Sequence, residues 1–198
     1  DCITVDCKCD FQRIVLIMLK TLNVITNNNF YFYSLIGIFS ANDVLANMYH
    51  IKKIGSRDIA SWLKETQDDH AIVMAGPDTE SLTKLICTQR GYNYISSRSK
   101  VKDMMQFFLK EYKPRKNSAY LKATNSHIST QDIKVLIWVS SGLKPCDISK
   151  RYGISIKTIS HHKRNLMKKL QIKSTMQLVD VASQYSLLCK HLNTSCAL

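Results

Sequence analysis

Acidic side chains are scarce in this chain: 15 Asp and Glu face 28 Lys and Arg over 198 residues, a formal net charge of +13. A chain so short of negative charge points to a polyanion as its partner, and nucleic acid comes first. Cysteine chemistry is equally thin. Cys2, Cys7, Cys9, Cys87, Cys146, Cys189 and Cys196 are odd in number and irregularly spaced, with no CxxC pair, and the lone CxC of Cys7 and Cys9 has no His close by. Neither a disulfide scaffold nor a metal centre is expected, and reduced thiols of a cytoplasmic protein are. Long apolar runs are missing too. IVLIML at 14–19 and FYFYSLIGIF at 30–39 are too short to span a bilayer, and the first has no basic leader or cleavage site. No HExxH, P-loop, GxSxG or carboxylate pair at a Gly-rich turn occurs, so no catalytic residue, cofactor or enzymatic activity is expected. The chain opens on Asp1 rather than Met, as one with a missing or renumbered N-terminus would.

What is present suffices for an ordinary core, with 45% apolar and 22% charged residues, and the length suits two small domains. Residues 2–6 (CITVD) read as a first strand and 9–22 as a helix. Three asparagines, Asn27 to Asn29, then punctuate, and FYFYSLIGIF reads as a buried strand. A helix capped by Ser40 or Asn42 follows, then a weak strand IKKIG at 51–55, which would be the third. Helix 57–65, strand 70–76, a helix closed by Gly91, strand 92–96 and helix 101–112 complete the run. Strand and helix alternate about five times, the pattern of a doubly wound parallel sheet in an α/β domain. Residues 113–127 are polar, basic and contain Pro114, a linker composition.

From Ile128 the pattern is all helical. Ser129 and Asp132 match a capping box, Gly142 ends the first helix, Pro145 opens a short second one, and Gly153 closes it. Ser155 caps ISIKTISHHKRNLMKKL, and Ser174 with Gln177 begins a last helix to about Ser186. Four helices therefore form an all-α C-terminal domain, its second and third joined by a tight turn as a helix-turn-helix. Residues 128–198 hold 11 basic and three acidic side chains, so the charge excess concentrates here. On the third helix, Ser160, Arg164, Lys157, Lys168 and His161 fall within about 100° of one another. Ile159, Leu166, Leu170, Ile156 and Met167 fill another arc. One face can pack while the next offers donors and positive charge to a DNA groove.

Residues 128–180 resemble the DNA-binding domain of the LuxR/NarL (FixJ) family of bacterial regulators. The match runs through Ile128, Ser129, Asp132, Val135, Leu136, Gly142, Leu143, Asp147, Ile148, Tyr152 and Ile154. It continues through Ser155, Lys157, Thr158, Ile159, His162, Asn165, Lys169, Leu170, Ile172, Gln177, Leu178 and Val179, with Asp132 and Asp147 where the family more often has Glu. The resemblance makes the third helix the recognition helix. It implies that Ser160, His161 and Arg164 face base edges and that Lys157, Thr158, Lys163, Lys168 and Lys169 meet the phosphate backbone. Independently, Arg suits guanine while Ser and His can read several edges. His162 lies about 160° from Arg164, near the apolar arc, and reads as an orienting residue beside the Ser155 cap. Lys163 sits in the apolar arc, so its stem must lie along the core while its ammonium reaches solvent.

By element order the N-terminal part resembles a receiver domain, the partner module in that family. A working receiver needs an acidic pair after the first strand for Mg²⁺, an Asp after the third, Ser or Thr after the fourth and Lys after the fifth. The first strand offers Asp6 and a displaced Asp10; IKKIG is followed by no Asp before Asp58; VMAGPD puts Ala75 at the hydroxyl position. The fifth puts Ser97 at the Lys position, unless the register slips to Arg98 or Lys100. A degenerate receiver with no phosphoacceptor and no metal is thus expected, as in auxiliary regulators of bacterial capsule and fimbria genes. The divisions are 1–112 receiver-like domain, 113–127 linker, 128–186 helix-turn-helix domain and 187–198 tail.

The leading expectation is a cytoplasmic transcription regulator that binds double-stranded promoter DNA as a homodimer, or as a heterodimer with a related LuxR-type regulator, without a membrane. Met176, Leu178, Val179 and Ala182 could serve that dimer or simply the core. The competing expectation is an auxiliary protein that binds and modulates a related response regulator, with little DNA affinity of its own.

Overall fold

Strand β1 (Lys20–Ile25) sits inside a four-stranded parallel sheet of order β2-β1-β3-β4, flanked by β2 (Tyr49–Ile54) and β3 (Ile72–Ala75), with β4 (Asn93–Ile95) at the far edge. The computed structural model describes residues 20–66, 71–110 and 128–192. Leu22 pairs with Ile51 on one side and Ile72 on the other, and Met74 pairs with Ile95. Helices fill the crossovers: α1 (Asn29–Ser40) and α2 (Asp43–Met48), then α3 (Ile59–Glu65), α4 (Glu80–Arg90), and α5 (Val101–Lys110) after β4. Side chains alternate along each strand. Leu22, Val24, Ile72 and Met74 pack against α1, α2 and α5 through Leu35, Phe39, Leu45 and Phe108. Ile25, Val73 and Ala75 pack on α3 and α4 through Ile59, Trp62, Leu82 and Ile86. Covering both faces is what a parallel sheet requires.

Several expectations change here. FYFYSLIGIF is helix, not strand: Asn28 caps it by accepting from the Tyr31 N–H, and the sheet position is taken by β1. Lys20 to Leu22, expected to end a helix, begin that strand. The expected strand 2–6, the rest of helix 9–22, residues 111–112 and the linker 113–127 lie outside the described residues. IKKIG, expected as a third strand, is a strand over Tyr49–Ile54, the second in chain order and at one end of the sheet among the described residues.

The C-terminal part is all helix: α6 (Thr130–Ser140), α7 (Pro145–Tyr152), α8 (Ile156–Lys169) and α9 (Thr175–His191). Both arms of the Ser129–Asp132 capping box are formed. At α9 the Ser174 hydroxyl accepts from the Gln177 N–H, but Gln177 Oε1 reaches one residue further back, to the Lys173 N–H. Helix α9 overruns its expected end and takes in the first part of the expected tail. Its last turns are held by burial, with Leu188 in the core between the sheet and α3 and α4, and Tyr185 and Leu192 packed against it. Reciprocally, Leu85 of α4 is 0% exposed and belongs to the helical core with Leu136, Leu166, Leu170 and Leu178. The two domains share side chains across their boundary.

Candidate nucleic-acid interface

Helix α8 is aimed by local backbone chemistry. Gly153 turns the chain left-handed at φ 66 to end α7, a conformation a Cβ disfavours. Two residues later Ser155 accepts from the Thr158 N–H at 3.1 Å, satisfying one of the free donors at the start of α8. Leu166 and Leu170 are buried in one core with Met167 packed on it, and Ile159 is buried in another with Val135, Trp138 and Ile148, whereas Ile156, expected in that arc, is 50% exposed. It stands in the first turn, before the helix meets α6.

The expected contact residues other than Lys163 and Lys169 lie away from that buried arc. Lys157, Thr158, His161, Arg164 and Lys168 are exposed, and Ser160 and Lys163 are half-buried. Arg164 folds back along the helix, its Nε donating to the Ser160 carbonyl at 3.2 Å, and His161 Nε2 lies 2.8 Å from Asn165 Nδ2. The Thr158 hydroxyl lies 2.8 Å from Ser155 Oγ. From Lys144 to Lys173 there are nine Lys and Arg and one acid, Asp147, so α7, α8 and the following turn present a strongly positive surface. Arg and Lys on an open helix face are suited to guanine edges and phosphates.

Two residues of α8 turn inward instead. His162 Nδ1 lies 3.0 Å from Asp132 Oδ1, and Lys169 Nζ is 2.6 Å from Asp132 Oδ2. Asp132 is 1% exposed, and the Ser129 N–H donates to it as well. An ionised carboxylate only accepts, so His162 Nδ1 carries the proton. Burial pushes the Asp132 carboxyl up, but the hydrogen bonds from Lys169, His162 and Ser129 outweigh it and hold it at about 2. The orienting role expected of His162 therefore has a named partner. Lys169, expected at the phosphate backbone, has its ammonium on Asp132 in this structure. The sequence reading missed Asp132 as an anchor for α8; the available signal was an acid one turn before the apolar Val135 and Leu136 of the same helix.

At the C-terminal ends of the central strands, where doubly wound sheets place their crevice, Asp78 accepts from the Thr26 hydroxyl at 2.6 Å and the Asn27 N–H at 2.8 Å. A Cβ on Gly76 would sit 2.2 Å from Thr26 Oγ1, so only glycine lets these two loops meet. Glu80 is buried and accepts from the hydroxyls of Tyr94, Ser96 and Ser97 and from the Ser97 N–H. Ser97, expected at the lysine position, thus serves Glu80.

Residues 126–182 match the family described as bacterial regulatory proteins, luxR family. The chain is 34% identical to the fimbriae Z protein of Salmonella typhimurium over 61 residues, 31% of this chain and 29% of that protein. It is 24% identical to the oxygen regulatory protein NreC of Staphylococcus haemolyticus over 119 residues, 59% of this chain and 52% of that one. The chain spans at most about half the length of these relatives. Similar solved structures are one of two RcsB dimers bound to two parallel DNAs, and full-length FixJ from B. japonicum. The first has a TM-score of 0.47 at 13% identity, covering 84% of this chain and 98% of that one. The second has a TM-score of 0.32 at 15% identity, covering 85% and 98%.

Proposed function

From a chain whose residues 126–182 match the luxR family of bacterial regulatory proteins, we infer a transcription regulator that reads promoter DNA with α8 in the major groove. The observation that carries this is the two-sided α8: Ile159, Leu166 and Leu170 are buried while Lys157, His161, Arg164 and Lys168 lie open. Ser160, His161 and Arg164 read base edges. Lys157, Thr158, Lys163 and Lys168 hold phosphates, and His162 and Lys169 orient the helix through Asp132. Arg164→Ala is expected to cost about 1–3 kcal/mol at the preferred site and to relax one base position. Lys168→Ala is expected to weaken all sequences alike and to reduce the salt slope by about one. Fluorescence anisotropy across a salt series and a panel of single-base variants checks both. Unchanged affinity of Arg164→Ala at physiological salt defeats the assignment.

Control is by protein abundance or a partner in the cytoplasm rather than by phosphorylation. What supports this is the crevice, where both Asp78 oxygens are engaged by Thr26 and Asn27. A phosphotransfer assay with a small-molecule donor should leave the protein unlabelled. Dimerisation follows α9: Leu178 and Ala182 are core, whereas Met176 is 83%, Val179 37% and Leu187 56% exposed on one side. That face suits a second copy or a related LuxR-type regulator. Fimbria genes are the proposed targets, on the likeness to the fimbriae Z protein.

A further inference from the structure

The C-terminal turn of α8 is completed by the other domain. The helix closes with the Ile172 N–H donating to the Met167 carbonyl at 2.8 Å and the Gln171 N–H to the Lys168 carbonyl at 3.2 Å. This is a Schellman closure, whose left-handed position is usually glycine. Here it is Gln171 at φ 56, the one positive-φ non-glycine among the described residues. A glycine would relax the backbone but bring no side chain, and this side chain is used: Arg98 Nη1, in the turn after β4, donates to Gln171 Oε1 at 2.9 Å. One residue earlier, the Leu170 carbonyl is among those that no helical N–H can reach. It accepts from the Ser81 hydroxyl of α4 at 3.1 Å. One turn along α4, Leu85 is buried against Leu166 and Leu170. Three side chains of the N-terminal domain therefore grip the end of α8, and Lys157, His161, Arg164 and Lys168 remain exposed.

We propose that the receiver-like domain is a fixed support for the recognition helix, with Ser81 and Arg98 as positioning residues that act through Leu170 and Gln171. A domain that shields a reading helix must leave before DNA enters; one that grips its end has to stay. DNA is read with the domains docked, and no release step precedes binding. The inference rests on the DNA-binding reading above and deepens it. It also gives the domain a use that needs no phosphate.

The test uses the full chain and a genomic fragment selected by the wild-type protein, with affinity by anisotropy and stability by thermal melting. The Ser81→Ala/Arg98→Ala double variant should bind more weakly, by about three- to tenfold, the scale of one or two hydrogen bonds. Gln171→Gly separates positioning from structure. Relief of the left-handed backbone alone predicts a raised Tm with affinity unchanged; the support predicts a Tm kept or raised with affinity reduced. Exchanging donor and acceptor, Arg98→Gln with Gln171→Arg, should return affinity to within about twofold of wild type. Tighter binding once the grip is cut would make the domain a shield, and equal affinity in every variant would leave it no role in reading; either result overturns the proposal. Failure of the underlying reading looks different, because the wild type itself would then select no fragment.

Discussion

At the scale of single residues, Asp132 decides how α8 is held. Its two oxygens receive His162 and Lys169 from α8 and the Ser129 N–H from the start of α6, so one carboxylate ties two helices together. Asp132→Asn keeps the shape but leaves the Lys169 ammonium without its counter-charge. A loss of about 1–3 kcal/mol in stability is expected, read by urea titration. The pH dependence has a definite sign. A carboxyl held at about 2 in the folded state lies below its unfolded value, so its contribution is full above the ordinary carboxylate range. It is lost as pH falls from about 4 through 2. Urea midpoints of wild type and Asp132→Asn should therefore converge in acid; a constant gap down to pH 2 would remove Asp132 from this role.

At the scale of elements, the helix-turn-helix depends on Gly153. A Cβ there would meet nothing within 4 Å, so Gly153→Ala tests the backbone alone. The left-handed φ of 66 should cost about 1–2 kcal/mol, seen as a lowered Tm. This domain was legible in the sequence because its signals are local: Ser129 and Asp132, Pro145, Gly153 and Ser155 each act within a few residues of where they stand. The sheet domain was less so. FYFYSLIGIF is apolar on every side and uncharged, so its periodicity distinguishes helix from buried strand poorly. What settles it is the Asn28 cap and the presence of β1 in the sheet, and the second is a pairing over distance. The same limit hid the inward turn of Lys169. Its partner lies 37 residues away in sequence, and helical spacing says nothing about the element a face meets.

At the scale of the whole molecule, Leu85 and Leu188 each lie in the other domain's core, so the two domains are expected to unfold as one cooperative unit. Leu85→Ala is expected to cost about 2–5 kcal/mol. Unfolding followed by Trp62 and Trp138 fluorescence, one reporter per domain, should shift together; separate midpoints would mean the domains unfold apart. Charge acts at this scale as well: on the proposed function, the +13 of the chain would draw it to DNA of any sequence and leave selection to the α8 face. The most direct test of that division is selection from fragmented genomic DNA by purified wild type, Lys168→Ala and Arg164→Ala, followed by sequencing. The expected result is a shared motif for wild type and Lys168→Ala, with less DNA retained by the latter, and the same motif with one position degenerate for Arg164→Ala. Recovery of no motif by the wild type, or of an unaltered motif by Arg164→Ala, would contradict α8 as the element that reads DNA.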